Sequence, residues 1–370
     1  MIEGRVEPQD EVWMKRAIAL AKNARRLSPP NPSVGAVIVK DGQVLGEGFT
    51  QQVGGPHAEV MALRDAAARG LSVEGATIYV TLEPCSHYGR TPPCAKALID
   101  HRLGRVVAAI TDPNPAVAGR GLSMLKAAGV EVTLGVCARE AWHMNAGFLT
   151  RMSTGRPWVR LKVAATLDGR TALNDGRSEW ITGKESREDN QHWRGEAGAI
   201  VTGIGTVLAD DPRMNVRLPD QKRFPLKVVV DSHLKTPERA RLFDDGSTLI
   251  IAAQDPDGRA ALLQARGAEV IFLPDETQEQ VDLGKMLTLL AERSVNEVHL
   301  EAGATLNGAF LREGLVDEIL LYTAPCFFGQ GRSIADVMEP DTPGTAPRWF
   351  IWESSQVGGD LRTILLRRNP

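Results

Sequence analysis

The chain has 370 residues, more than one ordinary domain holds, so we expect two or three domains. Hydrophobic residues make up 43% of the chain and charged residues 24%. The net charge is −3, and neither half is basic enough to indicate a nucleic-acid surface formed by charge alone. No apolar run approaches the roughly 18 residues of a membrane-spanning helix. The 4 cysteines are too few for a disulfide framework, so we expect a cytoplasmic protein in a reducing compartment.

The first residues are interpreted apart from the fold. The tetrapeptide Ile2-Glu3-Gly4-Arg5 matches a protease recognition sequence that is common in recombinant proteins. Residues 1–5 are therefore predicted to be the remnant of such a leader, and they lack the apolar core of a signal peptide.

An α/β domain is predicted to follow, over residues 6–150. Asp10 is predicted to cap a helix whose apolar positions share one face, namely Trp13, Ala17, Leu20, Ala21 and Ala24. A β-hairpin is predicted at 34–39 and 43–49, followed by alternating helices at 57–68, 93–101 and 121–128 and strands at 76–81, 106–110 and 130–134. The order predicts a three-layer α/β/α domain with a mixed sheet, closing near residue 150 after a helix that ends in Asn145-Ala146-Gly147.

A second α/β domain is predicted over residues 151–370, after a boundary at Gly155-Arg156-Pro157. Its strands are expected at 158–165, 199–202, 227–230, 248–252, 297–300 and 318–322. Its helices are expected near 184–194, 279–293 and 305–312. The pattern contains no internal repeat and no low-complexity segment.

Three residues of the first domain have the types and order of zinc ligands. His57, Cys85 and Cys94 supply one imidazole and two thiolates, which leaves a fourth tetrahedral position for water, as in a catalytic zinc site. Glu59 lies two residues after His57 and can carry a proton from that water to a leaving amine. The pattern H-x-E with P-C…C is typical of zinc nucleobase deaminases. Cys137 and Cys326 have no partners at metal spacing and are interpreted as structural.

The loop between the two cysteines is longer than the C-x-x-C spacing of that pattern. His87, Arg90 and Thr91 in this loop offer polar groups suited to a phosphate-bearing ligand, and His87 is expected to face substrate rather than the metal. Asn31 and the segment Asp112-Pro113-Asn114-Pro115 are further candidates near a pocket. Ordinary turn chemistry is the open alternative for all of these residues.

These motifs resemble a known family. Residues 57–59, 81–87, 89–94, 112–115 and 119–121 are similar to the bifunctional pyrimidine deaminase/reductases of bacterial riboflavin synthesis, and the resemblance runs from about residue 8 to the C-terminus. It implies a cytidine-deaminase-like first domain and a dihydrofolate-reductase-like second domain that uses NADPH. The implied reaction is zinc-dependent deamination of a phosphorylated diaminopyrimidinone carrying a ribosylamino group, followed by reduction of the ribosyl chain to ribityl.

The second domain has polar and glycine-rich loops at its predicted strand ends, at 167–171, 178–182, 205–212 and 301–306. The sequence lacks G-x-G-x-x-G after a strand, which disfavours a Rossmann domain. The turn at Gly303 places free amides at a helix N-terminus, a natural position for phosphate, although a simple helix start is the alternative. Four such loops together favour a dinucleotide site.

The resemblance also implies roles for individual residues of the second domain. It assigns the cofactor to Ala164, Trp180, Thr206, Asp210, Ser232, Gly303, Ala304, Thr305, Leu306, Asn307, Gly308 and Ala309. It assigns the substrate to Ser178, Arg194, Met214, Arg217 and Glu301, with Lys162 as a further candidate. Arg194 and Arg217 are expected to hold the substrate phosphate by charge-assisted bonds.

Two alternatives remain open at this point. The chain could be a nucleic-acid-editing deaminase with an appended recognition domain, although the charge and the long loop between Cys85 and Cys94 disfavour it. The second domain could instead be a binding or assembly module without chemistry. The favoured interpretation takes a small phosphorylated pyrimidine as substrate, with no nucleic-acid or membrane partner, in a homo-oligomer that is a dimer or tetramer.

Overall fold

The chain divides into two units, Met1–Gly155 and Arg156–Pro370. The computed structural model describes residues 2–86, 93–114 and 118–367. Each unit forms its own sheet and its own apolar clusters. Within the described residues, no helix combines the length and the apolar character that crossing a bilayer requires.

A five-stranded mixed sheet forms the centre of the first unit. Its strands are β1 (Gly35–Lys40), β2 (Gln43–Phe49), β3 (Thr77–Val80), β4 (Arg105–Ala108) and β5 (Glu131–Leu134), in the order β2-β1-β3-β4-β5. The pairs β1–β2 and β1–β3 are antiparallel, whereas β3–β4 and β4–β5 are parallel. The described helices are α1 (Asp10–Ala21), α2 (Ala58–Ala68), α3 (Cys94–Asp100), α4 (Arg120–Ala127), α5 (Ala138–Met144) and α6 (Ala146–Thr154).

The helices cover both faces of this sheet, and the strands β1, β3 and β4 are accordingly buried on both sides. Ala36 and Ile38 of β1 pack with α2, α3 and α4, whereas the alternate residues Val37 and Val39 pack with α1 and α5. Gly48 permits α2 to approach β2 closely, since a Cβ there would lie 2.4 Å from the carbonyl oxygen of Ala58. The expected three-layer arrangement is confirmed.

Two local expectations in this unit are wrong. Asp10 does not cap α1; it is the first helical residue, and its buried carboxylate binds Arg105 (2.8 Å) and the Tyr79 hydroxyl (2.9 Å). The apolar face of α1 accordingly centres on Met14, Ala17, Ile18 and Ala21. The helix expected to end at residue 147 is interrupted at Asn145, whose side chain bonds the backbone of Ser33 at 2.7 and 2.9 Å.

The N-terminal residues lie against the edge of the sheet. Glu3 forms an antiparallel bridge with Leu134, with N···O distances of 2.9 and 2.8 Å. The carbonyl of Arg5 accepts hydrogen bonds from Arg105 and from Thr133, each at 2.6 Å. Glu3 and Arg5 therefore bond residues of β4 and β5. The origin of residues 1–5 in a recombinant leader stays a prediction.

The second unit has a nine-stranded sheet. Seven parallel strands are followed by an antiparallel hairpin, in the order β11-β10-β9-β8-β12-β6-β13-β16-β15. The strands are β6 (Trp158–Thr166), β8 (Ala199–Gly203), β9 (Leu226–Val230), β10 (Thr248–Ala252), β11 (Ala268–Phe272), β12 (Glu297–Leu300), β13 (Glu318–Ala324), β15 (Trp349–Val357) and β16 (Asp360–Arg367). A separate short ribbon pairs β7 (Arg170–Leu173) with β14 (Gly331–Ser333).

Helices lie between most of the successive parallel strands of this unit. They are α7 (Lys184–Glu196), α8 (Ile204–Asp210), α9 (Ala260–Ala265), α10 (Leu283–Glu292) and α11 (Ala304–Arg312). The helix expected from residue 279 begins at Leu283 because Asp282 caps it, its carboxylate accepting from the Lys285 N–H at 2.8 Å. The elements that were not expected from the sequence are the strands β7, β11 and β14, the hairpin β15–β16 and the helices α8 and α9.

Candidate active sites

The three expected zinc ligands converge in the first unit. His57 precedes α2 as its N-cap residue, Cys85 lies in the loop after β3, and Cys94 begins α3. Nδ1 of His57 lies 3.6 Å from Sγ of Cys85 and 3.3 Å from Sγ of Cys94. All three ligand atoms lie within 4.8 Å of one another, close enough to bind one ion.

The chemistry of this donor set fits zinc. One imidazole and two thiols around a single point leave one tetrahedral position open, as catalytic zinc requires. Hydrogen bonding with Cys94 and His57 lowers the pKa of the Cys85 thiol, against the opposing effect of burial, and favours the thiolate that binds metal. Cys137 and Cys326 belong to no metal-binding group in the described part of the chain.

Glu59 lies beside these ligands in the first turn of α2 and is 3% exposed. Burial raises the pKa of its carboxyl to about 7, with a further contribution from Cys85. A carboxyl with a pKa near neutrality can both accept and return a proton at physiological pH. The buried position of Glu59 beside the ligands suits the proton-carrying role expected from the sequence.

The other polar candidates of this unit have different outcomes. His87, Arg90, Thr91 and Pro115 lie outside the described residues. Asn31 is half-buried in the proline-rich turn, where its N–H bonds the carbonyl of Ser28. The side chain of Asp112 accepts from the Asn114 N–H at 2.8 Å, which is a turn contact.

Glu83 is a site residue that the sequence analysis did not single out. It is 4% exposed and lies two residues before Cys85. Its carboxylate accepts hydrogen bonds from the N–H groups of Asp112 (3.2 Å), Gly119 (2.9 Å), Gly121 (2.9 Å) and Leu122 (3.4 Å). These partners are distant in sequence, so only the flanking motif could have drawn attention to it.

A cavity of about 1770 Å³ opens in the second unit, at the carboxyl ends of its parallel strands. The strands β8 and β12 are neighbours there, and helices α8 and α11 begin directly after them. Chain order runs outward from β8 through β9, β10 and β11 and then returns to β12, so the reversal falls between β8 and β12. Ligands of open α/β sheets bind at such a reversal point.

Nearly all residues expected to bind cofactor or substrate line this cavity. The exception is Gly308, which instead packs directly against the backbone of Asp336. A side chain does not fit at this position, since a Cβ there would lie 2.2 Å from the Asp336 carbonyl oxygen. Its neighbour Asn307 donates to the carbonyls of Ala302 (3.1 Å) and Ile334 (2.9 Å), which ties α11 to the next loop. Trp180 is 69% exposed, and the Arg187 guanidinium lies 4.4 Å from its ring centre.

Glu301 forms the polar centre of the cavity floor. Nε and Nη2 of Arg194 lie 2.5 and 2.7 Å from its two carboxylate oxygens. Asn190 donates to it at 3.1 Å, and Nε2 of His299 lies at the same distance. Burial alone would raise the pKa of Glu301, but Arg194 and His299 outweigh that effect and hold the pKa well below its usual value.

The two arginines expected on the substrate phosphate differ in their surroundings. The remaining terminal nitrogen of Arg194 donates to the Asn215 carbonyl at 3.1 Å, so its donors point at protein groups. Arg217 is exposed at the cavity and donates to the Asn215 side chain at 2.9 Å. Among the described residues, no carboxylate lies within ion-pair distance of Arg217. Arg217 therefore keeps donors for an anionic ligand.

Asn190 and His299 are further site residues that the sequence analysis missed. Both are buried, and Nε2 of His299 lies 3.0 Å from the Asn190 amide oxygen. A histidine inside a strand carries no local signal of this role. The spacing of His299 and Glu301 by two residues was the available hint, since it predicts side chains on one face of an extended segment.

Both units resemble proteins of known families. The family described as the cytidine and deoxycytidylate deaminase zinc-binding region matches residues 7–110, and the RibD C-terminal domain matches residues 157–362. Riboflavin biosynthesis protein RibD of Escherichia coli (strain K12) is 44% identical over 367 residues, which cover 95% of this chain and 98% of the relative. The RibD of Haemophilus influenzae is 41% identical over 367 residues, which cover 96% of both chains.

Solved structures give the same result. Acinetobacter baumannii RibD, form 1, is 42% identical with a TM-score of 0.85, and the alignment covers 98% of this chain and 99% of that one. A diaminohydroxyphosphoribosylaminopyrimidine deaminase/5-amino-6-(5-phosphoribosylamino)uracil reductase from Thermotoga maritima is 32% identical with a TM-score of 0.86, and the alignment covers 97% and 99%.

The fold and the two sites define a zinc-dependent deaminase joined to an NADPH-dependent reductase. The chain belongs to the RibD family, the bifunctional deaminase/reductases of riboflavin biosynthesis. Both the cytidine-deaminase-like first domain and the reductase second domain expected from the sequence are confirmed. A nucleic-acid-editing enzyme and a second domain without chemistry are not favoured.

Proposed function

We propose that the first unit deaminates the phosphorylated diaminopyrimidine named for the Thermotoga relative, and that the second unit reduces the ribosyl chain of the product to ribityl with NADPH. The main observation behind this proposal is that His57, Cys85 and Cys94 converge beside the buried Glu59. The chain also matches RibD relatives over nearly its full length.

In the first unit, His57, Cys85 and Cys94 would hold the zinc ion. Bound zinc supplies a water made acidic enough to act as nucleophile near neutral pH. Glu59 accepts the proton of the attacking water and returns it to the departing amino group. Water adds at the amino-bearing ring carbon and ammonia leaves, so the atoms balance without any oxidant or reductant.

In the second unit, the cofactor would bind across the ends of β8 and β12. The free backbone N–H groups that follow Gly203 and Gly303 face the cavity and suit the phosphates of NADPH. Ala164, Trp180, Thr206, Asp210 and Ser232 line the same space and are the remaining proposed cofactor residues. Burial raises the pKa of Asp210, with a further contribution from Glu179.

The substrate would lie over the floor of this cavity, against Ser178, Met214, Arg217 and Glu301. We assign the contact with the substrate phosphate to Arg217, because the guanidinium of Arg194 already donates two hydrogen bonds to the Glu301 carboxylate. Opening the ribose needs a hydride on carbon and a proton on the ring oxygen. Lys162 lines the cavity, and burial lowers the pKa of its ammonium, which suits it to donate that proton.

We further propose a homo-oligomer, a dimer or tetramer, located in the cytoplasm. The open edge strand β15 supports association, since Ile351 is 61% exposed and Phe350 36% exposed on it. Free cysteines support a reducing compartment. Sedimentation equilibrium tests the first point, and a monomer at micromolar concentration would contradict it.

The proposed activities are tested with two substrates and two readouts. Purified protein loaded with zinc is incubated with the phosphorylated diaminopyrimidine or with tRNA, and ammonia release is measured. NADPH is then added, and its absorbance is followed. We expect ammonia from the pyrimidine alone and NADPH oxidation after deamination. Turnover of tRNA only, or a flat NADPH trace, would contradict the corresponding half of the proposal.

A further inference from the structure

The segment that carries Cys85 is held on both sides by helix N-termini. On one side, the Cys85 carbonyl accepts from the Ala95 N–H at 3.1 Å, and its Sγ accepts from the Cys94 N–H at 3.3 Å. On the other side, the Glu83 carboxylate accepts from the N–H groups of Gly119, Gly121 and Leu122 at the start of α4. A carboxylate at this end of a helix is stabilised by the helix dipole.

The contact between this segment and α4 leaves no spare space. A Cβ built on Gly121 would lie 1.9 Å from the carbonyl oxygen of Pro84. The backbone of Pro84 therefore packs directly against the first turn of α4. The hydrogen bonds of Glu83 to the start of α4 stabilise this contact. The same carboxylate accepts from the Asp112 N–H at 3.2 Å, so it also ties down the loop after β4.

We propose that Glu83 is a positioning residue of the metal centre. By binding the start of α4 and the loop at Asp112, its carboxylate fixes Pro84 and thereby Cys85, two residues away. Sγ of Cys85 then stays within reach of the ion that His57 and Cys94 hold. Glu83 itself is not a metal ligand, because its carboxylate is directed at backbone N–H groups.

The chemistry of the side chain explains why a glutamate is required. A carboxylate has two oxygens that only accept, and the described N–H groups around it only donate. Glutamine would replace one oxygen with an NH₂ group that faces these donors. Glu83→Gln should therefore loosen Pro84 and Cys85 while keeping the size of the side chain. Gly121→Ala should displace Pro84 from the other side and give the same effect.

The experiment compares both variants with a matched control in the same unit. Asp10→Asn also alters a buried carboxylate, but one that binds Arg105 and Tyr79 on the opposite face of the sheet. Each full-length protein is loaded with Co²⁺, its visible absorption spectrum is recorded, and loss of Zn²⁺ to excess chelator is timed. A cooperative thermal unfolding transition reports that the first unit, which carries all three substitutions, is folded. NADPH oxidation with the deaminated intermediate reports the second unit only.

We expect Glu83→Gln and Gly121→Ala to shift the cobalt bands and to weaken metal retention about 10- to 100-fold, the usual effect of losing a partner outside the ligand set. Asp10→Asn should lower the unfolding temperature without moving the cobalt bands. The proposal is overturned if Glu83→Gln, like Asp10→Asn, lowers only the unfolding temperature and keeps the wild-type spectrum and metal loss. It is equally overturned if Gly121→Ala leaves both unchanged.

Discussion

Arg194 binds Glu301 through two parallel hydrogen bonds, Nε at 2.5 Å and Nη2 at 2.7 Å from the two carboxylate oxygens. The two residues are 107 positions apart, one on α7 and the other directly after β12. This pairing changes the interpretation of Arg194. It holds the carboxylate of the reductase site in place, and the substrate phosphate is left to Arg217.

Removing this arginine should damage the second unit more than removing a surface charge. Arg194→Met would leave the Glu301 carboxylate without its counterion and should destabilise the unit by about 3 kcal/mol, the lower end for a broken buried pair, since the side chains are 14% and 17% exposed. Hydrogen exchange of β12 peptides in urea measures this loss. A surface control is Lys184→Met, which breaks an exposed pair with Glu188 and should cost little. Equal protection in both variants would contradict the assignment.

The same pair predicts an acid dependence of stability. The pKa of Glu301 is lowered in the folded chain, so its contribution is fully present above the unfolded value of about 4.3 and is lost as pH falls through the folded pKa. We therefore expect β12 protection to decrease below about pH 4.3 more steeply in the wild type than in Arg194→Met. Parallel pH profiles would show that the pair contributes nothing.

Glu59→Ala should abolish deamination, because the buried Glu59 carboxyl beside the ligands is the group proposed to carry the proton. Zinc content should stay stoichiometric, since Glu59 is outside the ligand set, and NADPH oxidation should be unaffected. Metal analysis and the two activity assays measure the three properties on one sample. If the variant loses its zinc, the role assigned to Glu59 is wrong.

Cys85→Ser should show the opposite pattern in the same assays. A hydroxyl is a poor substitute for thiolate on zinc, so metal content should fall together with ammonia release. Cys137→Ser is the matched control, because Cys137 is outside the metal group and should keep its zinc. Full metal content in Cys85→Ser would remove it from the ligand set.

Local pattern predicted much of this fold. Short apolar runs located the hairpin β1–β2 and most of the parallel strands, because strands buried on both faces are apolar throughout. The parallel edge strand β11 was not predicted. The short strands β7 and β14 pair across about 160 residues and have no local signal. The hairpin β15–β16 has a local signal, the Gly358-Gly359 turn between its strands, although neither strand was predicted.

The metal site was predictable for a different reason. Histidine and cysteine are the usual zinc ligands, and their order in the sequence matches a known pattern. His57, Cys85 and Cys94 could therefore be proposed as metal ligands without any information on contacts. Glu83, Asn190 and His299 could not, since a buried polar side chain takes its role from partners that folding brings to it. Asp10 illustrates the same limit, because its position suggested a helix cap but Arg105 and Tyr79 determine its function.

The central claim is that the chain carries two separate active sites, one in each unit. Asp210→Ala should impair NADPH oxidation and leave ammonia release unchanged, since Asp210 lines the cavity of the second unit. The reciprocal variant is the most direct test. His57→Ala, supplied with the deaminated intermediate and NADPH, should oxidise NADPH at the wild-type rate while releasing no ammonia from the diaminopyrimidine. Loss of both activities in a folded His57→Ala protein would contradict the account.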